Sequence, residues 1–321
     1  MASFRTGTAA LLLGLCCLGT LASPLTLTAR GIRHASAQDI EALAPFTQFA
    51  RAAYCPKHKL HGWNCGEACA AIPDFKPTLV DGDGNLVQDY FVGFWPEKLA
   101  VVVTHQGTDP TKMFALMTDL NIVKGPLQSA LFPGVPSNVR VHYGFQLEHA
   151  KTAKQIKEEV LKLMETHNVS EIYTVGHSLG GALALLDGLF LTLQIPYASI
   201  KTVIYGAPRV GNEAFARFID QMVPDLTRVN NQRGKNTVIV DRELAYQWPL
   251  DPIPVLPPRW PLGFKHPEGE LHLTGSGSAV YCDGEDNDLD VACQDRTVHE
   301  PIILTGNLFD HVKWFHQYGG F

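Results

Sequence analysis

The sequence has no excess of basic residues, no internal repeat and no long hydrophobic run beyond its first residues. It contains 26 Lys and Arg against 32 Asp and Glu, a formal net charge of −6. This balance argues against nucleic acid as a partner, because proteins that bind nucleic acid present a basic face. The 28 glycines and 21 prolines show no period, which excludes collagen-like and low-complexity chains. With 45% hydrophobic and 18% charged residues in 321, the composition is that of a folded globular protein.

The one sizeable apolar run lies at the N-terminus. Arg5 precedes the apolar residues 9–21, and residues 20–22 read Thr-Leu-Ala, a small-x-small cleavage pattern. The run of about 13 residues is shorter than the roughly 20 that a membrane span needs. We therefore predict that residues 1–22 are a secretory signal peptide, and that residues 23–321 form one secreted, extracellular domain without a transmembrane segment. Arg30 and Arg33 allow a short pro-segment that ends at about residue 33.

Five cysteines follow the predicted signal peptide. An oxidising compartment favours disulfides, and the natural local pairs are Cys65 with Cys69 and Cys282 with Cys293. Cys55 is left without a predicted partner. A zinc site formed by Cys55, Cys65 and Cys69 is the alternative, although the ligand spacings fit no familiar zinc pattern.

Two further local patterns concern modification and metals. Residues 168–170 read Asn-Val-Ser, so Asn168 is a predicted N-glycosylation site. His58 and His61 lie near the three cysteines of the alternative zinc site. Asp286, Asp288 and Asp290 resemble a calcium loop only faintly, because the glycine that such a loop requires is absent. We predict no metal site.

Strand patterns alternate with helix patterns through most of the chain. The predicted strands cover residues 87–94, 99–104, 172–175, 202–205 and 226–230, and the predicted helices cover 146–167, 181–193 and 212–222. This alternation predicts an α/β fold with a mostly parallel sheet that helices cover on both faces. No Pro-, Gly- and Ser-rich linker divides it. Residues 250–290 are rich in Pro and Gly and are predicted to be long ordered loops.

Residues 176–182 read Gly-His-Ser-Leu-Gly-Gly-Ala and stand between a predicted strand and a predicted helix. This is the context of a nucleophile elbow, where a tight turn presents a serine above the sheet. We therefore predict Ser178 as a nucleophile. The backbone N–H of Leu179, at the N-terminus of the helix, is predicted to bind an oxyanion.

A serine needs a base, and the base needs an orienting carboxylate. In chains with this elbow the acid and then the histidine follow the serine. Asp251 is the predicted acid because prolines stiffen the segment after it, and Asp241 is the alternative. His311 is the predicted base. The neighbouring His177 is disfavoured because adjacent side chains diverge on a sharp turn. The other candidate bases are His272, His299 and His316.

A second oxyanion donor is expected after an early strand. In residues 101–109, Gly107 permits a turn, and Thr108 offers both its N–H and its hydroxyl.

These motifs together resemble those of the secreted fungal lipases, also called class 3 lipases. Four segments carry the resemblance besides the elbow at residues 176–182: residues 104–108 (Thr-His-Gln-Gly-Thr), 142–145 (His-Tyr-Gly-Phe), 251–258 (Asp-Pro-Ile-Pro-Val-Leu-Pro-Pro) and 310–315. The resemblance implies an α/β-hydrolase fold, a Ser178–Asp251–His311 triad, and an oxyanion hole at Thr108 and Leu179. Gln106 departs from the family, which usually has arginine there.

The resemblance also implies a short lid within residues 109–125. Five apolar residues lie there at helical spacing: Met113, Phe114, Leu116, Met117 and Leu120. A helix packed permanently on the core is the alternative reading. A mobile apolar lid favours acylglycerols at a lipid–water interface over small polar esters. The expected activity is cofactor-free ester hydrolysis by a lipase. The alternatives are a feruloyl or other carboxylesterase and, more remotely, a non-catalytic lipid-binding protein.

Overall fold

Helices and strands alternate along the chain, as the sequence pattern predicts. A computed structural model describes Met1 and residues 32–108, 122–231, 251, 253–274, 278–287 and 289–297. The strands are β1 Ile32–His34, β2 Lys76–Asp81, β3 Tyr90–Trp95, β4 Ala100–His105, β5 Lys124–Gly125, β6 Val141–His142, β7 Glu171–His177, β8 Ser199–Tyr205, β9 Gly211–Asn212, β10 Leu226–Asn231, β11 Phe264–Lys265, β12 Glu270–Leu273 and β13 Ala279–Cys282. The α-helices are α1 Ala37–Glu41, α2 Ala44–Ala52, α3 Lys57–His61, α4 Glu67–Ala70, α5 Tyr143–His167, α6 Leu179–Gln194, α7 Glu213–Met222 and α8 Gln294–Thr297.

The main sheet has a parallel centre and antiparallel edges. Within the described ranges its strand order is β1-β13-β12-β10-β8-β7-β4-β3-β2. The pairs from β12 through β10, β8 and β7 to β4 are parallel. The pairs at the two edges are antiparallel. Parallel strands align their carboxyl ends at one edge of the sheet, and this edge is where α/β proteins place their sites. The predicted α/β fold with a mostly parallel sheet is confirmed.

Helices cover both faces of this sheet. One buried apolar cluster joins α5, α6 and α7 to one face, and a second joins α2 to the other. On α5 the predicted inner face is buried, and it consists of Ala153, Ile156, Val160, Leu163 and Met164. Helix α6 is apolar on nearly every side and is buried along most of its length. Apolar area of this extent is the main term that stabilises a fold of this size.

Caps and turns fix the ends of these helices. Helix α5 begins after His142, whose Nδ1 accepts the backbone N–H of Phe145 at 3.3 Å. It ends at Asn168, which adopts a left-handed conformation with φ 51°. Helix α7 begins after Asn212, whose side chain accepts the N–H of Phe215 at 3.0 Å. Such caps satisfy backbone groups that the helix itself leaves unpaired.

The prediction of long loops over residues 250–290 is wrong in part. The structure places β11, β12 and β13 in this region, and β12 and β13 extend the main sheet. The sequence hides β12 because its buried residues are not all apolar. Glu270 is 2% exposed and lies 3.8 Å from Arg228 on the neighbouring strand. A buried ion pair therefore occupies positions where an apolar pattern would have indicated a strand.

The cysteines pair as predicted. Cys65 is bonded to Cys69 and Cys282 to Cys293, with Cα–Cα distances of 5.2 and 6.0 Å. Cys55 is a free thiol with its Sγ 3.5 Å from the carbonyl oxygen of Cys65. The first disulfide withdraws two of the ligands that the alternative zinc site would need.

None of the helices in the described residues combines the length and the hydrophobicity needed to cross a membrane.

Candidate active site

Ser178 lies on a sharp turn between β7 and α6. Its backbone has φ 58° and ψ −128°, a region that costs a non-glycine residue on the order of 1–3 kcal/mol. A Cβ on Gly176 would lie 2.1 Å from the carbonyl oxygen of Gly180, and one on Gly180 would lie 2.3 Å from that of His105. Glycine is therefore required on both sides of the serine. The turn has the strand–serine–helix geometry of a nucleophile elbow.

The hydroxyl of Ser178 is buried inside the molecule. The residue is 0% exposed, and its Oγ has no hydrogen-bond partner among the residues that the structure describes. Its backbone N–H donates to the carbonyl of Tyr205 at the end of β8, at 2.9 Å. Leu179 is the first residue of α6, where backbone N–H groups have no partner within the helix. A positive helix end thus lies beside a buried serine hydroxyl.

The segment after β4 packs directly against this turn. A Cβ on Gly107 would lie 2.6 Å from the carbonyl oxygen of His177 and 2.9 Å from the Cβ of Ser178. Only glycine allows this approach. The N–H of Gln106 donates to the carbonyl of Asp89 at 2.8 Å and fixes the segment from the other side. The structure therefore brings the predicted oxyanion segment, with Thr108 half-buried, next to Ser178 and Leu179.

Tyr54 joins the elbow to the Gly107 segment, although nothing in the sequence around it indicates a functional role. Its hydroxyl lies 2.7 Å from Nδ1 of His177 and accepts the backbone N–H of Gly107. Desolvation of the hydroxyl raises the pKa of Tyr54, so the phenol stays protonated and is able to donate a hydrogen bond. With the N–H of Gly107 occupied, Thr108 is the residue of this segment left to offer an N–H.

Asp251 opens the segment that was predicted to hold the acid. It is 6% exposed, and its Oδ1 accepts the N–H of Ile253 at 3.0 Å. Its backbone carbonyl accepts the side chain of Gln294 at 3.1 Å. The acid segment lies near the elbow, because residues 205–209 contact both the elbow and the acid segment. Ala207 packs against Gly181 of α6, and the N–H of Arg209 donates to the carbonyl of Leu256 at 2.7 Å.

A buried network of ion pairs holds the acid segment in place. The guanidinium of Arg209 donates to the carbonyls of Val255 and Pro257, and it pairs with Asp286 at 3.1 Å and with Asp295. His266 Nε2 donates to the carbonyl of Pro254 at 2.6 Å. In the sequence only the prolines indicate this rigidity, and nothing signals the network. Asp286 of the faint calcium motif serves as a partner of Arg209.

Several predicted residues lie outside the described residues. These are His311, the alternative acid Asp241, the alternative bases His299 and His316, and the five lid residues Met113, Phe114, Leu116, Met117 and Leu120. Two other histidines can be located. His272 is buried in β12, 3.4 Å from Glu270. His177 is bonded to Tyr54 as described above.

Two buried histidines near the site predict how stability depends on pH. Burial lowers the pKa of His142 to about 4. Burial, together with the positive charge of Arg228, lowers the pKa of His266 to about 3. An unfolded histidine titrates near pH 6.5, so between these values the unfolded chain binds more protons than the folded chain. We expect the free energy of unfolding to fall as the pH drops from 7 to 4, by up to about 1.4 kcal/mol per pH unit for each histidine.

Urea unfolding at pH 7, 6, 5 and 4 measures this slope. The matched variant is His266→Gln, whose amide retains a donor toward the carbonyl of Pro254 but does not titrate. In the variant, the free energy of unfolding should depend less steeply on pH, by the amount that the titration of one histidine contributes. An unchanged pH dependence would contradict the assignment of that contribution to His266.

The sheet and the strained serine turn at the carboxyl end of β7 define the class of the protein: it is an α/β-hydrolase. The family profile described as lipase (class 3) matches residues 102–234, which include the oxyanion segment and the elbow. Over these residues the chain is similar to the class 3 lipases, and it is a lipase-like carboxylic ester hydrolase.

Similar proteins come from fungi. The chain is 28% identical over 240 residues to the secreted mono- and diacylglycerol lipase MDL3 of Malassezia globosa, covering 75% of this chain and 71% of the relative. It is 34% identical over 261 residues to the secreted mono- and diacylglycerol lipase 2 of Gibberella zeae, covering 70% of this chain and 61% of the relative. Among solved structures, a deletion variant of the Rhizomucor miehei lipase propeptide complex superposes with a TM-score of 0.69 at 25% identity, covering 89% of this chain and 81% of the other.

Proposed function

We propose that the chain is a secreted lipase that cleaves acylglycerol esters through Ser178, Asp251 and His311. The observation that carries the proposal is the buried, strained Ser178, with the Gly107 segment packed on one side of it and Leu179 at a helix N-terminus on the other. A buried hydroxyl beside unpaired backbone N–H groups suits a reaction in which an oxyanion forms next to the nucleophile.

The proposed reaction is acyl transfer in two steps. His311 takes the proton of Ser178 as the serine oxygen attacks the ester carbonyl, and Asp251 orients the imidazole and stabilises its positive charge. The N–H groups of Thr108 and Leu179 hold the oxyanion of the tetrahedral intermediate. The alcohol leaves with the proton from His311. Water, activated by the same histidine, then releases the fatty acid and restores Ser178.

Mono- and diacylglycerols are the proposed substrates, because two of the similar proteins carry these substrates in their names. The test compares hydrolysis of monoacylglycerol, diacylglycerol, tributyrin and methyl ferulate by the purified protein, together with labelling by a fluorophosphonate. We expect turnover of the acylglycerols and a label on the peptide that contains Ser178. Turnover of methyl ferulate alone would favour a feruloyl esterase, and absence of both label and turnover would favour a lipid-binding protein.

We further propose that the enzyme works at a lipid–water interface, with the apolar residues of 109–125 acting as a lid. The described residues beside this segment support the proposal, because large apolar side chains are exposed there. Val123 is 65% exposed, Tyr143 47% and Trp260 81%. They share one region: the N–H of Tyr143 donates to the carbonyl of Val123, and the neighbouring Lys124 bonds to the carbonyl of Leu262. Exposed apolar patches of this kind mark binding surfaces.

Measuring activity on tributyrin below and above its solubility limit tests whether the enzyme acts at a lipid–water interface. We expect a jump in rate at the limit, and we expect Trp260→Ser to weaken the response to emulsion while it leaves the rate on dissolved ester unchanged. Tyr197→Ser is the matched control, since Tyr197 is 69% exposed but lies before β8, at the opposite end of the strands from Ser178. Equal effects of the two variants would contradict a lipid-facing role of Trp260.

Secretion and glycosylation complete the proposal, which here rests on the signal pattern in residues 1–22 and on the names of the secreted relatives. Asn168 is exposed at the C-terminal end of α5. Expression in a fungal host should give a secreted protein that begins at Ser23 and carries one glycan. Ser170→Ala removes the sequon without changing the left-handed Asn168, and it should abolish the mass shift on deglycosylation.

A further inference from the structure

A carboxylate lies between two imidazoles in the core beneath the active site. Nε2 of His105 lies 2.5 Å from Oδ2 of Asp187, and Nε2 of His149 lies 2.9 Å from Oδ1 of the same residue. All three side chains are at most 1% exposed. We refer to these three residues as the buried His–Asp–His cluster. Each imidazole donates from Nε2, so both carboxylate oxygens are satisfied.

The cluster lies in an apolar environment. The ring of Tyr90 stacks on His105 with centroids 5.7 Å apart, and Phe132 and Phe190 pack against His149 at 5.3 and 5.4 Å. Burial on its own raises the pKa of Asp187, but the adjacent His105 and His149 outweigh it and bring that pKa down to about 2. The carboxylate is therefore ionised and depends on its two partners. A buried charge is costly, and apolar side chains would fill this space at lower cost. Packing alone does not account for the cluster.

The cluster links the two elements that bear the proposed oxyanion donors. His105 is the last residue of β4 and lies three positions before Thr108, while Asp187 lies on α6, the helix that Leu179 opens. The backbones of these elements also touch, because a Cβ on Gly180 would lie 2.3 Å from the carbonyl oxygen of His105. Backbone contact fixes how close the elements come. The bond from His105 to Asp187 fixes where β4 ends along the helix.

The third member, His149, connects Asp187 to α5. His149 lies on α5, which begins just after the His142 cap. Three elements thus converge on one carboxylate: the strand before the oxyanion segment, the helix after the nucleophile and the helix that flanks both. A hydrogen-bonded pair is directional, so it defines a position that an apolar contact would leave free to slide.

We propose that the buried His–Asp–His cluster positions the oxyanion site, by holding the N–H groups of Thr108 and Leu179 at the spacing that the tetrahedral intermediate requires. The proposal rests on the proposed function, since Thr108 and Leu179 are the oxyanion donors of that mechanism. The members of the cluster are positioning residues and do not contact substrate. Their loss weakens transition-state stabilisation and leaves ground-state binding intact.

The test is Asp187→Asn, which keeps the shape of the side chain and removes its charge. Residues that orient the ligands of a catalytic metal change activity by about 10–100-fold when they are replaced. We expect a comparable fall in kcat on a soluble short-chain ester, while KM changes less than about 2-fold. Affinity for an alkyl boronic acid, which forms a tetrahedral adduct with serine, should fall in parallel with kcat. Affinity for a non-hydrolysable ether analogue of the substrate should stay the same.

Thr202→Val is the matched control. Thr202 and Thr174 form a buried hydrogen bond of 2.8 Å, and Thr202 also packs beneath Gly188 of α6. The control loses a buried polar contact under the same helix but has no link to β4. It should lower the stability to urea and leave kcat and boronic acid affinity unchanged. A loss of kcat equal to that of Asp187→Asn would overturn the proposal.

A conservative variant keeps the proposal testable if Asp187→Asn does not fold. His149→Gln retains a donor near the position of Nε2, whereas His149→Phe retains only the volume. We expect Gln to preserve most of kcat and Phe to lower it, with both variants folded by urea titration. Equal kcat in the two variants would overturn the proposal. Failure of the proposed function is distinguishable, because the wild-type protein would then show neither ester turnover nor fluorophosphonate labelling at Ser178.

Discussion

Replacing Ser178 with alanine is expected to lower kcat for ester hydrolysis by about 10⁶-fold, the scale seen when a serine hydrolase loses its nucleophile. The variant removes one oxygen that has no partner among the described residues and keeps the same Cβ on the same strained backbone. Stability to urea should therefore change little. Substrate binding should also persist, because the oxyanion donors remain. The measurement is hydrolysis of p-nitrophenyl esters of several chain lengths.

Ser199→Ala is the matched control for this variant. Ser199 is an exposed serine at the start of β8, and its replacement should leave kcat unchanged. Mass spectrometry of the fluorophosphonate adduct adds a second readout, since only the wild-type protein and the Ser199 variant should be labelled. Full hydrolysis by the Ser178 variant would remove the basis of the proposed mechanism.

Asp251→Asn is expected to reduce kcat by about 10⁴-fold, the effect of an acid-to-amide change in a serine triad. The amide oxygen can still accept the N–H of Ile253, which Asp251 Oδ1 accepts at 3.0 Å. The fold of the segment should therefore survive. What changes is the charge, because an amide neither stabilises an imidazolium nor holds the imidazole in the tautomer that accepts the serine proton.

Asp241→Asn is the comparison that decides between the two candidate acids. We expect this variant to retain at least half of the wild-type kcat. A loss of activity in Asp241→Asn with an active Asp251→Asn would reverse the assignment. The pH dependence of kcat/KM supplies an independent check. His311→Gln should lower kcat by about 10⁶-fold, as loss of the nucleophile does, and a rise in kcat/KM with pH that remained at a higher rate would point to another histidine as the base.

Short-range patterns predicted the features that depend on neighbouring residues. The elbow, the two disulfides and the course of most helices and strands arise from residues close together in the chain. The predicted helix at 146–167 is observed as α5 Tyr143–His167, and the predicted strand at 99–104 as β4 Ala100–His105. Periodicity locates the middle of such elements well. Their ends depend on caps such as His142, which no apolar pattern contains.

Contacts between residues far apart in the chain have no signal in the sequence. Tyr54 meets His177 across 123 positions, and Asp187 meets His105 across 82. In the sequence neither Tyr54 nor Asp187 has a distinguishing neighbour. Asp187 even stands in an apolar helix, where a lone acid carries no hint of a partner. Only the sheet order and the packing of α6 on β4 bring these side chains together. A motif within one segment therefore predicts the nucleophile but not the distant residues that pack around the nucleophile turn.

The first strand of the sheet limits where the chain can be processed. Strand β1 pairs with β13, and the guanidinium of Arg33 lies 4.0 Å from the ring centroid of Tyr281. A protease that cut after Arg33 would remove Ile32 and Arg33, leaving the hydrogen-bonding edge of β13 open to another chain. Maturation that keeps β13 paired must therefore leave Ile32 in place, so that the three-residue β1, rather than β13, forms the edge of the sheet.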